Sequence, residues 1–203
     1  MYALDEHRVL RRYKTRPVPE DEIQVMQHAR AAGFPVPEVF SVNGAEMVMT
    51  RVDGATMQEI IEADHSQLDR QIRLLAALHE RLHQITAPRG LVPSLGGDTL
   101  LHLDLHPKNV LIANDGPQVI DWANARAGHW ADDVAQTIVV VWSALADPSF
   151  ADRTAIVHHF VESFVSHFDR AVVRAHLPAA IERRVADRNV TDAERIAVRG
   201  ARL

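Results

Sequence analysis

Residues 100–122 read LLHLDLHPKNVLIANDGPQVIDW, and His102, Asp104, Asn109 and Asp121 within this stretch have the spacing that phosphoryl transfer demands. In that chemistry one aspartate receives the proton of the attacking hydroxyl, while an asparagine and a second aspartate hold magnesium against the phosphates. Asp104 suits the first task, Asn109 and Asp121 the second. Magnesium asks for near-octahedral oxygen coordination and keeps several waters, so one amide oxygen and one carboxylate suffice as protein ligands. Each residue alone has a plainer explanation, because loop aspartates commonly form turns and an asparagine before a strand commonly caps one. The joint pattern points to chemistry: H-x-D-x-x-x-x-N, then a hairpin, then an apolar pair ending in aspartate.

The elements that must position these groups can be read around them. A short apolar strand, Thr99 to Leu103, is expected to deliver His102 and Asp104 to a polar loop. The runs NVLIA and PQVID flank Asn114-Asp115-Gly116, and Asp-Gly between apolar runs is a strong hairpin signal that returns Asp121 beside Asn109. Upstream, RVLRRYK, a helix from about Pro19 to Ala32, and the runs EVFSV and AEMVMTRV about Asn43-Gly44 predict a βαββ unit. The segment after Met49 is the expected hinge, with a turn at Asp53-Gly54. Leu68, Ile72, Leu75, Leu78, Leu82 and Ile85 recur at steps of three and four, which predicts an amphipathic helix between Ser66 and Ile85. More helices are expected after Trp130, including the apolar run TIVVVWSALA as a buried one. From about Phe150 onward the helices carry Arg183, Arg184, Arg188, Arg195 and Arg199, read here as solvated faces.

Composition narrows the class. A chain of 203 residues with 47% apolar content can bury a substantial core. A net charge of −5 offers no broad basic surface for nucleic acid. The chain has no cysteine, so disulfides and thiolate chemistry are excluded, and its start lacks a signal-peptide pattern; a cytoplasmic protein is expected. The longest apolar run is about half of the roughly 20 residues that a membrane-spanning helix requires, so no membrane partner is expected.

HLDLHPKN followed by VIDW resembles the aminoglycoside phosphotransferase and choline kinase type within the protein-kinase-like superfamily. GFPVPEVF, EMVMTRVDG, the LAALHERLH helix and GHWADDVAQT resemble further segments of that family in the same order, over roughly residues 4–140. The resemblance implies an α+β, two-lobe fold, with a truncated small β lobe over residues 1–53 and a mainly helical lobe over residues 54–203. It also implies ATP and Mg2+ as cofactors and a small molecule with a hydroxyl as substrate. Arg11 takes the place of the basic residue that contacts ATP phosphates, with Lys14 as a fallback; Glu22 is its implied partner, with Glu20 a competitor. Arginine there is a planar fork where the family pattern has a compact ammonium. Val9, Met47, Met49 and Ile120 are implied candidates for the adenine pocket, and each has ordinary core packing as its alternative. His102 is implied to brace the catalytic loop, and Asp133 to support it, with Asp132 the competing choice.

No glycine occurs before Gly33, whereas the family carries a glycine-bearing hairpin over the phosphates, so weakened activity is an expectation. Two rival readings follow. One is a non-catalytic nucleotide-binding or interaction module derived from this fold. The other is a zinc hydrolase, since residues 79–83 spell HERLH, a literal H-E-x-x-H; no third ligand is evident in the sequence.

Overall fold

The computed structural model describes residues 1–146 and 154–203. An antiparallel sheet in the order β1-β2-β4-β3 is built from Tyr2–Ala3 (β1), Arg8–Arg12 (β2), Val39–Asn43 (β3) and Glu46–Thr50 (β4). β4 is paired on both sides, with β2 and β3, and its EMVMT alternates, so that Met47 and Met49 are buried on one face while their neighbours are half-exposed on the other. Helix α1, Glu20–Ala31, connects β2 to β3, within one residue of the span expected at each end. Its first turn holds Glu20, Asp21 and Glu22, which face the positive end of the helix dipole.

The end of α1 is closed by a glycine with a purpose. Gly33 has φ 81°, and the N–H groups of Gly33 and Phe34 donate to the carbonyls of Arg30 and Ala29. This pairing satisfies carbonyls that the helix leaves open, and only glycine enters the left-handed conformation without steric cost. The turn sends Phe34 inward, where its ring meets Trp122 edge-on at 5.8 Å. A helix stop thereby becomes a packing contact one residue from Asp121.

A second antiparallel sheet contains Gly54–Thr56 (β5), Val110–Ala113 (β7) and Gly116–Val119 (β8). The expected turn at Asp53-Gly54 is not formed; Gly54 opens β5 and pairs with Ala113. Its requirement for glycine is contact, since a Cβ there would lie 2.3 Å from the Ile112 carbonyl oxygen. The β7–β8 hairpin follows the expectation, with Ala113 opposite Gly116 across the Asn114-Asp115 turn. Thr99–Leu101 (β6) pairs with Arg126–Gly128 (β9) and stops two residues short of the expected strand. Leu103 leaves it at φ 58°, a conformation that β-structure cannot hold.

The helical layer comprises α2 (Met57–Ala63), α3 (Leu68–Leu82), α4 (Trp130–Ser143), α5 (Thr154–Val165), α6 (Arg170–Ala186) and α7 (Asp192–Arg199). α3 spans Leu68–Leu82, shorter than expected at both ends, so Ile85 lies beyond it and is half-buried like Leu68; of the predicted stripe it buries Ile72, Leu75, Leu78 and Leu82. Burying each such side chain is worth about 1.5–3 kcal/mol. α4 is buried almost all round, as its apolar run implies, because α5, α6 and α7 pack against it. The expected beginning of the last helical stretch near Phe150 lies outside the described residues. Among the described residues no helix is long and apolar enough to cross a membrane.

Candidate active site

Asp104 and Asn109 face each other across one turn of the loop after β6. The Asn109 side-chain amide donates to the Asp104 carbonyl oxygen at 2.9 Å and to Asp104 Oδ2 at 3.1 Å. Both amide hydrogens are thereby used, and Asn109 Oδ1 accepts no hydrogen bond among the described residues. His106 completes the turn. Its Nδ1 accepts the Lys108 N–H at 3.4 Å, so the proton sits on Nε2, which faces Asp104 Oδ1 at 3.4 Å. Burial pushes the Asp104 carboxyl up, but the hydrogen bond from His106, with the Arg184 guanidinium nearby, holds it below its ordinary value. Asp104 is therefore an anion at neutral pH.

His102 ties this loop to the strand end that carries Asp121. Its Nδ1 accepts the Asp104 N–H at 3.2 Å, which leaves the proton on Nε2 to bond the Ile120 carbonyl at 3.1 Å. Burial holds the ring below its usual pKa, so it braces as a neutral group. On the same seam the Ile120 N–H donates to the Asn109 carbonyl at 3.0 Å, extending the β7–β8 ladder by one rung. Asp121 follows at φ 67°, a left-handed conformation in which a non-glycine residue is strained. Trp122 anchors the bend, its indole N–H donating to the Val119 carbonyl at 3.0 Å and its ring meeting His102 at 4.6 Å.

Arg11 spans from the first sheet to Asp121. Its guanidinium reaches Asp121 Oδ1 at 2.8 Å and Glu22 Oε1 at 3.0 Å, while Tyr13 donates to the other oxygen of Glu22. Glu22 is buried; Glu20, two residues earlier and on the opposite side of α1, and Lys14 are exposed. Burial works against the Arg11 charge, but Asp121 and Glu22 outweigh it, so the guanidinium stays protonated. Met49 joins no polar group of the site; it is a core residue of β4 facing Val9 and Val39 across the sheet, while Met47 is also buried and Ile120 half-buried.

Asp133 explains why the loop adopts its shape. One oxygen accepts the Leu103 N–H at 2.7 Å; the other accepts the His102 N–H at 3.2 Å and His83 Nε2 at 3.1 Å. Pulling both amides toward one carboxylate turns the chain out of β6 and holds Leu103 at positive φ. Burial raises the Asp133 carboxyl, yet His83 and the neighbouring histidines override it and hold it far below the ordinary range. Asp132 lies elsewhere, bound by Arg183 at 2.8 Å and by Ser94.

The HERLH histidines belong to this clamp. His79, fully buried, has Nδ1 3.7 Å from Asp133, and its Nε2 faces Thr137 Oγ1 at 3.1 Å. His79, His83 and Asp133 could hold a metal ion among the described residues, so the third group that the sequence did not reveal comes from α4. The arrangement is not that of a hydrolase. Glu80, which would be the base, is exposed while His79 is sealed from water.

The expectation of solvated arginines fails in part. Arg183 binds Asp132 and Gln136, Arg184 binds Glu194 at 3.2 Å, and Arg195 caps the carbonyls of Val185 and Asp187. Arg188 and Arg199 are exposed as read. A run of arginines looks alike in sequence whether or not carboxylates from other helices meet it.

The fold and this site define a class, a mixed helix and strand protein of protein-kinase-like architecture. Its similarity to solved structures lies in the fold. Plasmodium vivax ethanolamine kinase is 13% identical over 97% of this chain and 75% of that one, with a TM-score of 0.63. A thermostable mutant of aminoglycoside phosphotransferase APH(4)-Ia, solved as a ternary complex with ADP and hygromycin B, is 16% identical over 81% and 73%, TM-score 0.58. A choline/ethanolamine kinase family protein from Mesorhizobium loti is 14% identical over 95% and 87%, TM-score 0.51. No curated protein sequence matches the chain. The phosphotransferase enzyme family model matches residues 1–95 and 89–176, and the chain belongs to that family.

Proposed function

We propose that this protein transfers the γ-phosphoryl group of ATP to a hydroxyl group of a small molecule. The observation that carries this reading is the Asp104–Asn109 turn, joined through His102 and Ile120 to Asp121. Asp104 accepts the hydrogen bond of the acceptor alcohol and orients its oxygen for attack. Its low proton affinity suits a largely dissociative transition state, in which the alcohol gives up its proton late. Asn109 Oδ1 and the second carboxylate oxygen of Asp121 carry no hydrogen bond among the described residues, and hard oxygen donors of this kind fit Mg2+. These two residues would hold the ion, which when bound supplies positive charge against the phosphate oxygens. Arg11 is then a nearby cation for the phosphates, fixed by Glu22. The family and the ADP and hygromycin B complex of a protein with similar fold support the reading.

The test pairs two variants. Asp104→Ala should lower acceptor-dependent ADP release by about 10² to 10⁴-fold while nucleotide binding persists. Asp121→Ala should weaken Mg2+-dependent ATP binding measured by calorimetry. Full activity in the first variant ends the assignment. Wild-type protein that binds Mg2+-ATP yet releases no ADP with any acceptor would favour the non-catalytic module instead.

A further inference from the structure

A cavity of about 460 Å³ opens between the catalytic loop and the helical layer. Its volume falls in the range of sites that enclose an organic ligand. His106, Pro107 and Lys108 form its floor, so it adjoins the turn that holds Asp104. Ile61, Leu68, Val140, Val141, Val157 and Phe160 supply its walls from α2, α3, α4 and α5.

The charges on the lining are few and of mixed sign. Lys108 and Arg184 are its cations, and no carboxylate pairs with Lys108 among the described residues. Glu194 is already engaged by Arg184 at 3.2 Å and by the Thr191 N–H at 2.8 Å and hydroxyl at 3.0 Å. Glu62, the other described lining carboxylate, is exposed on α2. An acceptor with several ammonium groups would bring them to hydrocarbon walls and toward Lys108 and Arg184, while of the described lining carboxylates Glu194 is taken by Arg184 and Glu62 accepts from the Gln58 amide at 2.8 Å. Unpaired charge in such surroundings is strongly disfavoured. A small quaternary or primary ammonium would find no aromatic cage, since Phe160 is the one phenyl ring among the described lining residues.

We propose that this cavity takes an acceptor alcohol with a largely apolar body carrying no more than one charge, and that it excludes polycations. The inference rests on the phosphotransferase reading for the word acceptor, and on the cavity alone for the class of ligand. Binding and turnover are therefore measured separately. Calorimetry on the Mg2+-ATP-free protein uses cholate, geraniol and hydrocinnamyl alcohol as apolar probes, against kanamycin and choline. Saturable binding of an apolar probe, weakened about tenfold or more by Ile61→Asp, with kanamycin and choline at least tenfold weaker, is the expected result. Kanamycin or choline binding more tightly than every apolar probe overturns the proposal, as does the absence of saturable binding by all three apolar probes. An Ile61→Asp variant whose thermal stability matches the wild type shows that lost binding is local. If apolar probes bind as expected but no alcohol of the class supports ADP release in wild-type protein, the ligand class stands and the catalytic reading fails.

Discussion

Replacing Asp133 by alanine should damage both stability and turnover, and the size of each effect can be worked from its contacts. The carboxylate accepts the buried Leu103 and His102 amides at 2.7 and 3.2 Å and His83 at 3.1 Å. Alanine leaves both amides without a partner, and an unsatisfied buried donor costs about 1–3 kcal/mol. Two amides therefore imply about 2–6 kcal/mol, a large share of the roughly 5–15 kcal/mol that stabilises a typical protein. For a chain of this size each kcal/mol moves the melting temperature by about 2–4 °C, so a fall on the order of 10 °C is expected. The second effect is positional. Leu103 at φ 58° is held in a conformation disfavoured by about 1–2 kcal/mol, and without the clamp it relaxes toward the β region. Asp104 follows directly, and a displacement of about 1 Å can cost about 10²-fold in rate. Thermal unfolding followed by circular dichroism reads the first effect, and ADP release at a temperature where the variant is still folded reads the second. A variant that melts with the wild type, or that melts early yet keeps full kcat when folded, refutes this account of the clamp.

Two further outcomes follow from the same geometry. Burial brings His79 from its ordinary 6.5 to about 3, so the unfolded chain takes up a proton at this residue before the folded one does. The stability this neutral ring confers is complete above pH 6.5 and is lost progressively as the pH falls toward 3, by roughly 4–5 kcal/mol at the extreme. Urea unfolding between neutral and acid pH should show this slope, and His79→Asn should flatten it; parallel slopes for the two proteins would contradict the assignment. Gly54→Ala forces a Cβ to within 2.3 Å of the Ile112 carbonyl oxygen, and overpacking of this kind costs about 1–3 kcal/mol. A urea midpoint equal to that of the wild type would show that β5 moves away from β7 freely.

Local order was legible from the residue pattern, and long-range partnership was not. The α3 stripe, the β7–β8 hairpin and α1 follow from periodicity and turn chemistry, which depend on neighbours a few residues apart. The spacing of Asp104, Asn109 and Asp121 was visible for the same reason, because one loop and one hairpin join them. The place of Glu22 beside Arg11 could be anticipated from resemblance, but its separation from Glu20 is a matter of helix face, decided by burial against the core. Gly54 looked like a turn former, although the reason for glycine there is the backbone of a strand nearly sixty residues away.

What the chain determines by itself, then, is which side chains able to do chemistry lie within reach of one another along a short loop. Tertiary structure decided the rest: that a carboxylate from α4 takes both amides of the strand end, and that the HERLH histidines turn toward it. It also decided that three arginines find acceptors on other turns while a cavity walled by α2, α3, α4 and α5 stays mostly hydrocarbon. A buried charge must be paired wherever in sequence its partner lies, and the partner is known only once the helices have packed.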